Sequence, residues 1–169
     1  MRTKHAALLG SAVAAWLTAA CNAHRGSGAT DELSASPQSQ TNEHDEPPAG
    51  ATPEDAVEAM AKRRARAMLP DGPMLRAELR QGGHRDQLLV LRGGNCYRVL
   101  AAGDEGIEDL DLFLFDPNGV LTQQDPAQDR YPTLGVQSEL CPPVSGAYRL
   151  QASAYKGSGT YALRVYRTP

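Results

Sequence analysis

Asp109-Leu110-Asp111-Leu112-Phe113-Leu114-Phe115-Asp116-Pro117-Asn118-Gly119 decides the fold. Its leucines recur at every second position, so Leu110, Leu112 and Leu114 share one face of an extended strand, and Pro117-Asn118-Gly119 supplies the turn that ends it. Outward from this stretch, short strand-favouring runs alternate with turn signals: Leu75 to Arg80, Gln87 to Leu91, Cys96 to Ala101, Val120 to Gln123, Leu134 to Leu140, Gly146 to Ala154 and Gly159 to Tyr166. Between them lie Gln81-Gly82-Gly83-His84, Gly93-Gly94-Asn95, Ser145-Gly146 and Lys156-Gly157-Ser158-Gly159, all able to reverse the chain tightly. Eight strands with this spacing predict an all-β, jelly-roll-like sandwich over residues 74–169. The 16 glycines and 12 prolines of the 169-residue chain fit that class and disfavour a helical bundle. Tyr148 and Leu150 share one face, as do Tyr161, Leu163 and Val165, and the turn between them predicts a hairpin around Gly157 to Gly159.

Upstream the pattern changes. Thr52-Pro53-Glu54-Asp55 is a helix start, with a capping hydroxyl, proline at the first helical position and two carboxylates near the positive dipole end. The helix is expected over residues 53–69, stopped by Pro70, with Lys62, Arg63, Arg64 and Arg66 near its end. Those cations suit either a solvated connector helix or attraction to anionic lipid or an acidic partner. Residues 21–52 contain one large aliphatic residue, Leu33, among Ser, Thr, Gln, Asn, Pro and Gly, and read as a disordered acidic tether. Residues 1–20 open with Arg2 and Lys4, continue without charge from Ala6 to Ala20, and read as a secretory signal too short to span a bilayer. Leu17-Thr18-Ala19-Ala20-Cys21 resembles a bacterial lipobox, so Cys21 is expected to carry the acyl chains (a diacylglyceryl group, palmitate-type) of an envelope lipoprotein. Asn22 after the cysteine favours the outer membrane. Of the chain's three cysteines, that leaves Cys96 and Cys141 as a pair. An exported pair forms a disulfide worth on the order of 4 kcal/mol. The competing reading, two free thiols or half a zinc site, lacks a C-x-x-C spacing and nearby histidines.

The order Gly94-Asn95-Cys96-Tyr97-Arg98-Val99, Asp109 to Gly119, Cys141-Pro142-Pro143 with Gly146-Ala147-Tyr148-Arg149-Leu150, and Gly157-Ser158-Gly159-Thr160-Tyr161 resembles the bacterial pre-peptidase C-terminal domain. The likeness is to its cysteine-containing stand-alone versions in myxobacterial and related secreted proteins and lipoproteins. It covers about residues 74–169 and implies a β-sandwich, usually appended to a secreted peptidase. Some such domains bind collagen or polysaccharide, and some bind calcium. With no peptidase attached, the resemblance implies a non-catalytic binding module for a protein or polysaccharide. A structural or assembly accessory of an envelope complex, or an inhibitor or chaperone of a secreted peptidase, are the alternatives.

Asp104, Glu105, Glu108, Asp109 and Asp111 crowd five carboxylates around Gly103 and Gly106, a candidate oxygen-ligand set for calcium, with Asp125 and Asp129 as possible additions. The same run also reads as a solvated loop whose aspartates accept turn amides. No G-x-S-x-G, H-E-x-x-H or phosphate-cradling loop is present. His84 is the one histidine within the expected sandwich that a Ser-His-Asp arrangement could use, so the sequence predicts no enzyme. Tyr97, Tyr148, Tyr155, Tyr161 and Tyr166 suit either a ligand-stacking face or core positions. The net charge of -3 argues against nucleic acid as a partner, and a monomer is expected.

Overall fold

The computed structural model describes residues 47–169, so the expected signal sequence, Cys21 and the tether up to residue 46 lie outside the described residues. The helix α1 (Pro53–Arg64) begins where the sequence places it: Thr52 accepts a hydrogen bond from the Asp55 amide at 3.2 Å and donates to the Asp55 carboxylate at 2.8 Å. Its end is earlier than residue 69. Pro70 forces the preceding backbone to be extended, and the chain turns through Ala67 at φ 62° so that β1 (Leu69–Pro70) can pair with the last strand.

Eight further strands follow, β2 (Leu75–Leu79), β3 (His84–Leu91), β4 (Tyr97–Gly103), β5 (Ile107–Phe115), β6 (Leu121–Gln124), β7 (Thr133–Leu134), β8 (Gly146–Gly157) and β9 (Gly159–Arg167). One sheet runs β2-β9-β4-β7, with β1 beside β2 along β9, and the other runs β3-β8-β5-β6. The pairings are nested: β2 with β9, β3 with β8, β4 with β7, β5 with β6. That is the pairing of a jelly roll, a long hairpin rolled into two sheets. The two-residue β1 is added to the eight expected strands. The core between the sheets holds Leu110, Leu112 and Leu114 against Tyr148, Leu150, Tyr161, Leu163 and Val165. A second apolar layer lies under α1, where Val57, Met60 and Ala61 cover Leu100, Ala102, Ala162 and Tyr166 on the outer side of β4 and β9.

Three further expectations are corrected. β8 and β9 are not a hairpin; the chain crosses between sheets at Ser158, and β8 pairs with β3 and β5 while β9 pairs with β1, β2 and β4. Alternation reports which residues face inward, and it is identical for strands side by side and strands face to face across a core. The run from Leu134 to Leu140 is not one strand. Gly135 turns at φ 75°, where a β-carbon would stand 2.2 Å from the Tyr97 carbonyl oxygen, and only Leu140 resumes pairing, as a single bridge to Tyr97. His84, expected in a turn, opens β3. Cys96 and Cys141 are joined by a disulfide beside that bridge.

Candidate functional site

The acidic run divides between different surroundings. Asp104 is a clamp: its carboxylate accepts from the Gly106 amide at 3.0 Å and the Thr160 amide at 2.7 Å, pinning the corner where β8 passes to β9. A β-carbon on Gly159 would lie 2.0 Å from that carboxylate, so any side chain there displaces the clamp. Glu108 is ion-paired with Lys156, and Glu105 is an exposed residue lining an open cavity of about 450 Å³ with Arg64, Asp129 and Arg130. Irregular pairing on either side of Asp109 lets both Ile107 and Leu110 reach the core although they are three residues apart. Asp109 is 9% exposed, and its Oδ1 has no hydrogen-bond partner. Burial, then the Asp129 charge, pushes its carboxyl up. Burial, then Asp109 and Asp125, pushes Asp111 up to about 6. Asp125 is raised chiefly by burial while accepting the Thr133 and Ala127 amides at 2.9 and 3.1 Å. Among the described residues no group of three or more His, Cys, Asp or Glu is placed to hold one metal ion.

The two sheets differ in cover. Helix α1 lies on the β4-β9 sheet, whereas no described element packs over the outer face of β3-β8-β5-β6. Strand register sets that face out in rows: Leu88, Arg149, Phe115 and Leu121; Asp86, Gln151, Phe113 and Gln124; His84, Ser153 and Asp111; with Val90 beside Ala147. Arg149 stacks over the Phe115 ring at 3.8 Å and bonds Asp86 at 3.2 Å, while Gln151 donates to the same Asp86 oxygen at 3.0 Å. The guanidinium is therefore held between Leu88, Phe115 and Leu121 in its own row and the polar Asp86 and Gln151 in the next. Leu88 and Val90 are 67% and 73% exposed on the same face.

The row of His84, Ser153 and Asp111 contains the three residue types of a hydrolytic relay in the wrong order. A relay needs the imidazole between hydroxyl and carboxylate. Here the hydroxyl is central, and it donates to the Gly83 carbonyl at 3.5 Å. The tyrosines divide as well: Tyr97, Tyr148, Tyr161 and Tyr166 are buried, and only Tyr155 of the five is exposed, at 72%. A tyrosine stacking face is therefore absent among the described residues. The open face escaped the sequence reading because its apolar members come from three strands. Its visible signals were Leu88 and Val90 on the polar phase of β3, and Phe113 and Phe115 on the phase of β5 opposite the leucines.

The lateral sides of the sandwich also differ. On the β5-β4 side, residues 125–133 lace the sheets together: the Leu110 amide donates to the Asp129 carbonyl and the Asp125 amide to Leu112, while the Gly103 and Ala101 amides donate to Arg130 and Pro132. On the β2-β3 side an open slot remains, seen as adjoining cavities of about 220 and 300 Å³ that share Leu75 and Leu163.

No family model and no curated protein matches the chain. Among solved structures, the crystal structure of Aeromonas hydrophila PliG, a periplasmic lysozyme inhibitor of g-type lysozyme, is similar over 57% of this chain and 85% of its own, at 15% identity and a TM-score of 0.43.

Proposed function

We propose that this protein is a non-catalytic binding module of the bacterial envelope, lipid-anchored through Cys21, with a sandwich of the pre-peptidase C-terminal type that docks a protein through the outer face of β3-β8-β5-β6. The observation that carries this reading is the uncovered face centred on Arg149 over Phe115 and flanked by exposed Leu88 and Val90. An arginine stacked on an aromatic ring beside exposed apolar side chains is a composition enriched at the energetic centre of protein interfaces. A polysaccharide is the weaker choice, because four of the five candidate stacking tyrosines are spent in the apolar layers of the fold. The lipobox at Cys21 supports the anchor, and the acidic tether gives the module reach from the membrane.

The test places a photo-crosslinking residue at Val90 in the native lipoprotein and identifies the adducts formed in intact cells. A single predominant protein adduct, abolished by Arg149→Glu and by Leu88→Asp while circular dichroism stays native, is the expected result. Adducts that are diffuse and indifferent to both substitutions overturn the docking face, and an unacylated Cys21 in the intact mass overturns the anchor.

A further inference from the structure

Strand β3 ends its sheet, and its outer edge has no backbone partner among the described residues. The Gly83 carbonyl accepts from the Ala154 amide, so by antiparallel alternation Arg85, Gln87, Leu89 and Leu91 bond to β8. His84, Asp86, Leu88 and Val90 therefore direct their N–H and C=O groups away from the sheet. Of these carbonyls Leu88 is capped only by the side chain of Gln87, at 3.3 Å. The edge carries no proline or lysine, and its charged residues, Arg85 and Asp86, are confined to the His84 end, leaving Gln87 to Leu91 open to strand addition.

Beside that edge runs the open slot. Its floor is Leu75, Leu150, Leu163 and Val165, with Arg76 on β2, Arg85 at the His84 end of β3 and Asp71 at the Leu91 end. We propose that this edge and slot receive an extended peptide of the partner, antiparallel to β3, with apolar residues at alternate positions and an acidic residue or free carboxylate at its C-terminal end. This deepens the docking reading above and rests on it.

The chemistry follows from the placement. Backbone pairing with His84, Asp86, Leu88 and Val90 supplies affinity, and every second side chain drops into the slot between the sheets. An antiparallel strand runs opposite to β3, so its C-terminal end meets Arg85. Arg76 already pairs with Glu54 at 2.9 Å, whereas Arg85 has no carboxylate partner among the described residues. A second copy of the chain is a poor occupant: with Leu88 opposite Leu88, the other copy's strand would bring its own Arg92 beside His84 and Arg85, cation against cation.

The probe is a fluorescent hexapeptide of alternating valine and threonine ending in aspartate with a free carboxylate, against the same peptide ending in lysine amide. Hydrogen-exchange mass spectrometry and fluorescence anisotropy are run on the full chain in detergent. The expected result is slowed exchange over residues 84–91 and tighter binding of the acidic peptide. Leu88→Pro, which removes an outward N–H and sets a ring on the edge, should weaken it on the order of tenfold. Arg85→Glu, a surface change that keeps the test alive where Leu88→Pro misfolds, should reverse the preference between peptides.

No protection over 84–91 at millimolar peptide, protection elsewhere, or equal affinity for both peptides overturns the proposal. Protection of 84–91 that rises with protein concentration alone assigns the edge to a second copy and overturns it too. Arg149→Glu separates the two readings: if it abolishes the cellular cross-link and spares the peptide, both stand; if it changes neither, the open face fails and takes with it the assignment of the peptide to a partner docked there, while peptide binding at the edge is judged by the exchange data alone.

Discussion

Asp104 shows how one side chain holds a corner. Its carboxylate accepts two amides from different segments, Gly106 and Thr160, where the chain leaves one sheet for the other. Asp104→Ala is expected to cost about 2 kcal/mol, read as a lowered urea midpoint, because two amides lose a charged acceptor. Asp111 carries the pH response. Its carboxyl, raised by burial and then by Asp109 and Asp125, titrates at about 6 in the folded chain, against about 3.9 when unfolded. The folded state thus binds more protons at Asp111 between those values, so this group's contribution to stability falls as pH rises from about 4 to about 6. Asp109 and Asp125 shift in the same direction. Asp111→Asn should flatten part of that fall, measured as urea midpoints across the window; an unchanged slope would assign it to the neighbours. The sequence showed the carboxylates but not their division. Asp104 and Asp111 look equivalent in a line of acids, and only the amides around one and the carboxylates around the other separate them.

At the scale of the element, the strain falls between α1 and β1. Ala67 adopts φ 62°, a conformation in which a β-carbon crowds the backbone. Ala67→Gly relieves about 1–2 kcal/mol of that crowding against about 0.5–1 kcal/mol of added freedom in the unfolded chain, so a net gain of roughly 0.5 kcal/mol is expected as a raised denaturation midpoint. The inward residues of β5, β8 and β9 were legible, since Leu110, Leu112, Leu114, Tyr148, Leu150, Tyr161, Leu163 and Val165 all reach the core. The partner of each strand was not. Gly157 and Gly159 read as a hairpin turn because both permit tight reversals, yet a β-carbon on Gly157 would stand 2.2 Å from the Gly106 carbonyl oxygen, a contact with a segment fifty residues away in the chain. Local sequence carries no record of that approach. The open edge of β3 was hidden for the same reason: being last in a sheet is a property of the whole pairing order.

For the whole molecule, the disulfide and the helix act on different margins. Cys96 and Cys141, 45 residues apart in sequence, close the long excursion through β4, β5, β6 and β7. Replacing both by serine should remove about 4 kcal/mol by restoring the entropy of that loop in the unfolded chain. A denaturant titration of the double variant, insensitive to reductant, checks it against the oxidised protein. The jelly-roll class was legible from strand count and turn spacing, and the cysteine pair from counting alone. The asymmetry between a laced side and an open one was not, because residues 125–133 gave no strand pattern and do their work through backbone bonds to both sheets.

The nested pairing also sets an order in time. Among the described strands β9 comes last in chain order, yet it lies inside its sheet, with β1 and β2 along one edge and β4 along the other, and it forms part of the surface on which α1 rests. A chain growing from its N-terminus can assemble β3, β8, β5 and β6 as soon as Gly157 is available, but its other half has no centre until Arg167 arrives. Helix α1, the first described element, must wait for β9 before its apolar side is covered. The sheet on which α1 rests is thus closed by non-local pairing, with β1, β2 and β4 joined only through β9, so its formation waits on contacts distant in sequence.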